Sequence, residues 1–157
     1  MAHSKPYRTK EATMRVNGVL QGKGSDVATI GPDQTLLSAA AELGKRRIGA
    51  LVVIGTDGSV VGIVSERDIV AAIARSGAVI LERPVSEVMS VDVITCSPND
   101  TIEHLMSAMT EQRIRHLPVV NEGALVGIVS IGDVVKRRVA EIQDEAQALG
   151  DYITQGR

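Results

Sequence analysis

Two stretches of the chain end an apolar run on a serine and place an aspartate three residues later. They are Val61-Gly62-Ile63-Val64-Ser65-Glu66-Arg67-Asp68 and Val126-Gly127-Ile128-Val129-Ser130-Ile131-Gly132-Asp133. A helical pattern follows each, so Ser65 and Ser130 stand at strand-to-helix corners. Two chemistries fit this spacing. In one, Ser and Asp form a capping box, each satisfying an N–H left free at the helix start, for about 0.5–2 kcal/mol per cap. In the other, the carboxylates of Asp68 and Asp133 offer paired acceptor oxygens to the neighbouring hydroxyls of a ligand. The free N–H groups beside them would then favour a phosphate.

The basic residues around these corners differ between the two stretches. Arg67 precedes Asp68, whereas Gly132 precedes Asp133. Arg67 can reach a phosphate, and Gly132 leaves room and lets the backbone come close. Arg115 and His116 start a strand where the first stretch has Gly49 and Ala50. Charged groups of one half can therefore face small residues of the other across a cleft. Arg47 and Arg113 belong to the same basic set; solvated strand ends remain the alternative for them. For His116 the alternative is a core histidine bonded to backbone. Lys23-Gly24 offers a further phosphate contact, with a solvated loop lysine as the other reading.

Other chemistry finds little support. Cys96 has His104 eight residues on, but no third group marks a nucleophile–base pair, and an inert half-buried thiol fits Cys96 better. There is no Cys/His zinc spacing, no Walker A loop and no Gly-x-Gly-x-x-Gly, so no metal site is expected. Lys136-Arg137-Arg138 is read as the solvated face of a helix. A basic adaptor that binds nucleic acid or protein without a nucleotide ligand stays open as the alternative function on that run.

The corners belong to an internal repeat. Shifting the chain by 66 residues lays Val27 on Val93, Pro32 on Pro98, Thr35 on Thr101 and Arg47-Ile48 on Arg113-Ile114. The shift then falls to 65 and the match resumes through Gly62/Gly127, Ser65/Ser130 and Asp68/Asp133. The lost residue falls between apolar runs that flank Thr56-Asp57-Gly58 and Asn121-Glu122-Gly123, which is hairpin-turn chemistry and a place where deletion is tolerated.

Each copy reads β-α-β-β-α. A short strand (27–30; 93–96) is followed by a helix from about Thr35 or Thr101, two apolar strands (50–54 and 60–64; 117–120 and 125–129) and a second helix. The strands lack polar alternation, so both faces are expected to be covered. The predicted layout is a flexible tail over 1–15, a first repeat over 16–77, a packed connector over 78–92, a second repeat over 93–140 and a helical extension over 141–157. The lead-in Val16-Asn17-Gly18-Val19-Leu20 is expected to serve the first copy as Pro84 to Met89 serves the second. In the last helix Val135, Val139, Ile142, Ala146, Leu149 and Ile153 form a heptad seam, which packs either on its own body or on a second chain.

The totals narrow the partners. The chain has 157 residues, a net charge of −2, no Phe or Trp and two Tyr. This disfavours base stacking on aromatic platforms and any general attraction to nucleic acid or to an anionic membrane. No apolar run approaches the roughly 20 residues of a membrane span. The single Cys96 fits a reducing compartment, and the cytoplasm is the expected location.

The duplicated unit with Gly-Ile-Val-Ser-x-x-Asp, together with Arg113-Ile114-Arg115-His116-Leu117-Pro118-Val119-Val120, resembles the cystathionine-β-synthase (CBS) domain family. Two copies in tandem are similar to a CBS pair, or Bateman module, like the stand-alone pairs of bacteria and plant organelles. The resemblance covers residues from about Val16 to Ala140. It implies an α/β fold of two β-α-β-β-α CBS repeats packed as a pseudo-two-fold pair, and a homodimer. It implies a regulatory module, without catalysis or a catalytic cofactor, that binds AMP, ATP, S-adenosylmethionine or NAD(H) in clefts between the repeats. It also implies that Asp68 and Asp133 take ribose hydroxyls and that Thr29 and Thr95 line the adenine and sugar pocket, with ordinary strand threonines as the other reading of that pair. The ligand-binding set is then Thr29, Gly49, Ala50, Ser65, Arg67, Asp68, Thr95, Arg113, Arg115, His116, Ser130, Gly132 and Asp133, with Lys23 and Gly24 as weaker members.

Overall fold

The computed structural model describes residues 14–156, so most of the tail expected over 1–15 lies outside the described residues. Helix α1 spans Val16–Lys23. The first repeat follows as β1 (Thr29–Ile30), α2 (Leu36–Arg46), β2 (Ala50–Ile54), β3 (Val60–Ser65) and α3 (Glu66–Ser76). Two 3-10 turns, Ala78–Glu82 and Val85–Glu87, make the connector. The second repeat supplies α4 (Ile102–Gln112), β4 (His116–Asn121), β5 (Ala124–Ser130) and α5 (Ile131–Gln155).

The repeat is visible in the hydrogen bonds. Strand β1 pairs parallel to β2, with Ile30 opposite Val53. In the second half the equivalent pairing shrinks to one parallel bridge, Cys96 opposite Val119. The predicted strand over 93–96 is therefore reduced to that contact. Antiparallel pairing places Ala50 opposite Ser65 in β2–β3 and His116 opposite Ser130 in β4–β5. The β4–β5 turn is tight: Glu122 and Gly123 have φ of 50° and 79°. Two positive φ values in succession suit the right-handed twist of a hairpin, and glycine takes the second without strain.

Each half has its own core, and the lead-ins are exchanged. Val16, Val19 and Leu20 of α1 pack with Leu105, Met109, Leu117, Val119 and Val129 of the second repeat. Val85 of the connector packs with Leu36, Leu43, Leu51, Val53 and Val64 of the first. The lead-in at residues 16–20, expected to serve the first repeat, thus closes the second. The backbone explains this. Val16 N donates to Asp100 O and Ile102 N to Met14 O, while Val85 N donates to Gln34 O and Leu36 N to Arg83 O. Each lead-in is stitched beside the helix start of the repeat that it does not precede in that exchange. Gly127 permits the approach of Leu20, whose Cδ2 would lie 2.6 Å from a Cβ there, and Gly62 permits that of Met89, with Sδ at 2.5 Å.

The strands are covered unequally. In β2, Ala50, Leu51, Val52 and Val53 are buried. In β3 and β5 buried residues alternate with half-buried ones, because one face of each looks into a cleft between the repeats. In α5 only Val134 is buried. The seam residues Val135, Val139, Ile142, Leu149 and Ile153 are 48–65% exposed, so the seam does not pack on its own body.

Candidate functional site

Both corners form as capping boxes. Ser65 accepts from Asp68 N through its side chain, and Asp68 Oδ2 accepts from Ser65 N at 2.9 Å. Ser130 and Asp133 repeat this, with Ser130 N at 2.9 Å from Asp133 Oδ2. Each carboxylate accepts its cap bonds through Oδ2. The cap therefore leaves Oδ1 of each acid open, so capping and ligand contact are compatible roles for one carboxylate.

Each corner is tied to the start of the neighbouring strand. Glu66 N donates to Gly49 O at 3.0 Å, and Ile131 N to Arg115 O at 2.8 Å. This fixes Gly49-Ala50 beside Ser65, and Arg115-His116 beside Ser130. The two repeats then face each other across Gly49. A Cβ on Gly49 would lie 2.9 Å from Cε1 and Nε2 of His116 and 3.2 Å from Oε1 of Glu66. The small residue of one repeat is the seat of the ring of the other.

Two clefts result. The first, of about 280 Å³, joins Ser65, Glu66, Arg67 and Asp68 of the first repeat to Arg113, Ile114, Arg115 and His116 of the second. The second, of about 540 Å³, joins Ile128 and Ser130 of the second repeat to Arg46, Arg47, Gly49 and Ala50 of the first, with Lys23, Asp26 and Ala28. Gly49, Ala50 and His116 line both.

Most residues expected at the site are therefore gathered in these clefts. Asp133 does not line either cleft itself but is bonded, at 2.6 Å, to Lys23, which lines the second. Thr29 and Thr95 are exposed and do not line either cleft; Ala28 does. Gly24 borders a separate groove with Asn17, Pro98 and Asn99, and Gly132 is exposed beside its own cap. Glu66, Ser90, Asp26 and Arg46 line the clefts without having been singled out from the sequence. Glu66 could have been found, since the first residue after a corner serine necessarily starts the helix beside the strand start. Ser90 could not, because it arrives through the exchanged connector, where its backbone pairs with Ile63.

The electrostatics differ between the clefts. Burial pulls the His116 imidazole below its usual pKa, helped by Lys23 and Arg115 and opposed by Glu66 and Asp133. Burial raises Asp133, but the Lys23 hydrogen bond, Ser130 and the Lys23 charge outweigh it and hold the carboxyl below its usual value. Arg47 and Arg113 both sit in the left-handed region, with φ of 54° and 53°, as caps of α2 and α4. That conformation costs a non-glycine residue about 1–2 kcal/mol. Arginine in both places, one at each cleft, is the kind of local strain found at functional sites.

The residues set aside on the sequence have structural employment. Burial pushes the Cys96 thiol up to about 12, which removes it as a nucleophile. Of the basic run on α5, Arg138 is bonded to Glu141 and the Nε of Arg137 is buried. Among the described residues no group of three or more His, Cys, Asp or Glu side chains could hold a metal, and no helix is long and apolar enough to cross a membrane.

The CBS domain model matches the chain twice, over residues 24–75 and 85–140. The chain belongs to the CBS domain family. Both matched segments carry a corner of the clefts, so the repeats described above are two CBS domains. Over 98% of its length the chain is 32% identical to "CBS domain-containing protein CBSX3, mitochondrial" of Arabidopsis thaliana, covering 80% of that protein. It is 48% identical to the CBS-domain protein ATU1752 of Agrobacterium tumefaciens, with a TM-score of 0.78 over 80% of this chain and 94% of that one. The CBS pair also superposes on PAE2072 of Pyrobaculum aerophilum, solved with AMP (32% identity, TM-score 0.69, 76% of this chain and 89% of that one). A further CBS pair, from protein MJ0100, was solved with 5′-methylthioadenosine and S-adenosylmethionine (25% identity, TM-score 0.74, 82% and 98% covered).

Proposed function

We propose that the protein is a regulatory module that binds an adenosine-containing nucleotide between its CBS repeats and signals its presence without catalysis of its own. The observation that carries this reading is the make-up of the clefts. The first is walled by Ser65 to Asp68 and the basic strand start Arg113 to His116, and the second by Ser130 and the small strand start Gly49-Ala50, with Lys23 bonded to Asp133. A ligand seated there touches both repeats and therefore favours one relative arrangement of them. Binding can change an equilibrium only through such a difference in affinity between arrangements. The adenosine ligands of PAE2072 and MJ0100 support the ligand class. AMP is the first candidate, with ATP and NAD(H) sharing its adenosine half, and these would make the module a sensor of energy or redox state.

In this reading Asp68 and Asp133 accept the ribose hydroxyls through Oδ1, and Arg67, Arg113 and Arg115 hold phosphate at the first cleft. A homodimer built on the exposed α5 seam is part of the proposal, as is a reducing compartment such as the cytoplasm. The test is a thermal-shift titration with AMP. A ligand at 100 times its Kd stabilises the bound form by about 2.7 kcal/mol. Asp68→Ala and Asp133→Ala together are expected to abolish that gain while the ligand-free protein still melts cooperatively. Unchanged AMP stabilisation in the double variant would sink the ribose assignment.

A further inference from the structure

The two corners are built alike but are not held alike. In the first repeat the carbonyl of Ile63 accepts from a backbone group, Ser90 N, at 2.9 Å. Among the described residues no cation forms an ion pair with Asp68. In the second repeat the equivalent carbonyl, that of Ile128, accepts from Nζ of Lys23 at 3.0 Å. The same ammonium lies 2.6 Å from Oδ2 of Asp133. Lys23 is the last residue of α1, and α1 is anchored in the second core through Val16, Val19 and Leu20. The ammonium is therefore delivered to this cleft by a fixed helix end.

We propose that Lys23 is a latch on the second cleft that selects anionic adenosine nucleotides over neutral or cationic adenosine compounds. The inference rests on the nucleotide reading above and adds the residue that sets the specificity of one cleft. A ligand hydroxyl on Oδ1 of Asp133 shares the carboxylate with the ammonium on Oδ2, and a pair of hydroxyls that spans both oxygens displaces it. Once displaced, Lys23 gives up a carboxylate and a carbonyl together. Arg46 of the same cleft is already bonded to Glu42, and Arg47 and Asp26 add one cation and one acid. No surplus of negative charge is there to receive it. A phosphate supplies the missing counter-charge from the ligand itself. Adenosine supplies none, and a sulfonium adds like charge. The first cleft has no such latch, because Ser90 N does the work of the ammonium on the strand carbonyl.

The test uses titration calorimetry on full-length protein carrying Asp68→Ala, which leaves the second cleft as the one with its acid. The probes are AMP, adenosine and S-adenosylmethionine. AMP is expected to bind at least about fivefold tighter than adenosine, the scale of a part-exposed ion pair, and S-adenosylmethionine no tighter than adenosine. Adding Lys23→Met is expected to strengthen adenosine binding and to bring the AMP-to-adenosine ratio close to one. Lys23→Arg is expected to keep the ratio. If Lys23→Met weakens AMP and leaves adenosine unchanged, Lys23 is an ordinary phosphate contact and the latch is wrong. A ratio near one with Lys23 in place also overturns it. If unaltered protein binds none of the three compounds, the nucleotide reading itself fails and takes the latch with it.

Discussion

His116 of the second repeat rests on Gly49 of the first, so closely that a Cβ on Gly49 would sit 2.9 Å from two atoms of the ring. The pair is the common wall of both clefts. Gly49→Ala must push the ring aside, and overpacking of this kind costs about 1–3 kcal/mol. The cause can be isolated with a double-mutant cycle. His116→Ala removes the obstacle, so Gly49→Ala on that background is expected to be close to neutral in urea denaturation. Equal costs on both backgrounds would show that the contact is not the source of the strain.

The same ring gives a pH dependence. Burial lowers the pKa of His116 in the folded chain, so below its usual value of about 6.5 the unfolded chain binds the proton more readily than the folded one. Stability then rises with pH across the window between the folded pKa and about 6.5, and is lost on acidification through it. Glu66 and Asp133 oppose the shift, which limits its size. The melting temperature of the native protein is expected to fall between pH 7.5 and 5.5 by more than that of His116→Gln. Parallel curves for the two proteins would contradict this.

The repeat, the five-element order of the first copy, the helices and hairpin of the second and both capping boxes were legible because they follow from local spacing. Thr35 and Thr101 do cap α2 and α4, and Gly77 follows the end of α3. The exchange of lead-ins was not legible. Val16, Val19 and Leu20 match Val85, Val88 and Met89 in type and spacing, and nothing in an apolar pattern says which of two similar cores it will fill. The shortening of the strand before Cys96 has a nearer cause: Val52 N donates to Ala28 O in the first repeat, and the equivalent residue, Pro118, has no N–H to offer Ile94. Among site residues, the corner and strand-start positions were readable from their motifs. The bond from Lys23 to Asp133 was not, since it joins residues 110 apart and depends on where α1 docks.

Arg113 allows stability and binding to be separated. Its φ of 53° is a conformation that glycine adopts freely, and its side chain lines the first cleft. Arg113→Gly is expected to relieve local strain and stabilise the ligand-free protein by up to about 1 kcal/mol. The same change is expected to weaken AMP binding at the first cleft, because it removes a cation from the phosphate end. Opposite signs in the two measurements, a higher ligand-free melting temperature and a smaller AMP-induced shift, are the signature. A loss of stability without ligand would mean that the Arg113 side chain holds the fold, not the ligand.

The seam on α5 predicts how two copies of the chain would pair. Val135, Val139, Ile142, Leu149 and Ile153 leave an apolar stripe exposed along a helix of 25 residues. Charge is divided along that helix: its first half sets Lys136, Arg137 and Arg138 against Asp133 and Glu141, and its second half carries only acids, Asp144, Glu145 and Asp151. Two parallel copies would set like charges side by side. Two antiparallel copies set the basic half of each against the acidic half of the other and keep the stripes in register. The expected occupant of the stripe is therefore a second copy of this chain, with α5 antiparallel to its mate. Light scattering on native protein is expected to give the mass of a dimer, and Val139→Lys with Ile142→Lys that of a monomer. Charge reversal distinguishes the orientation. Glu145→Lys is expected to weaken the dimer and Arg138→Glu to restore it in the double variant, whereas a parallel pair would leave the double variant no better than the single one. A native monomer at concentrations where the melting transition is cooperative would rule the seam out as an interface.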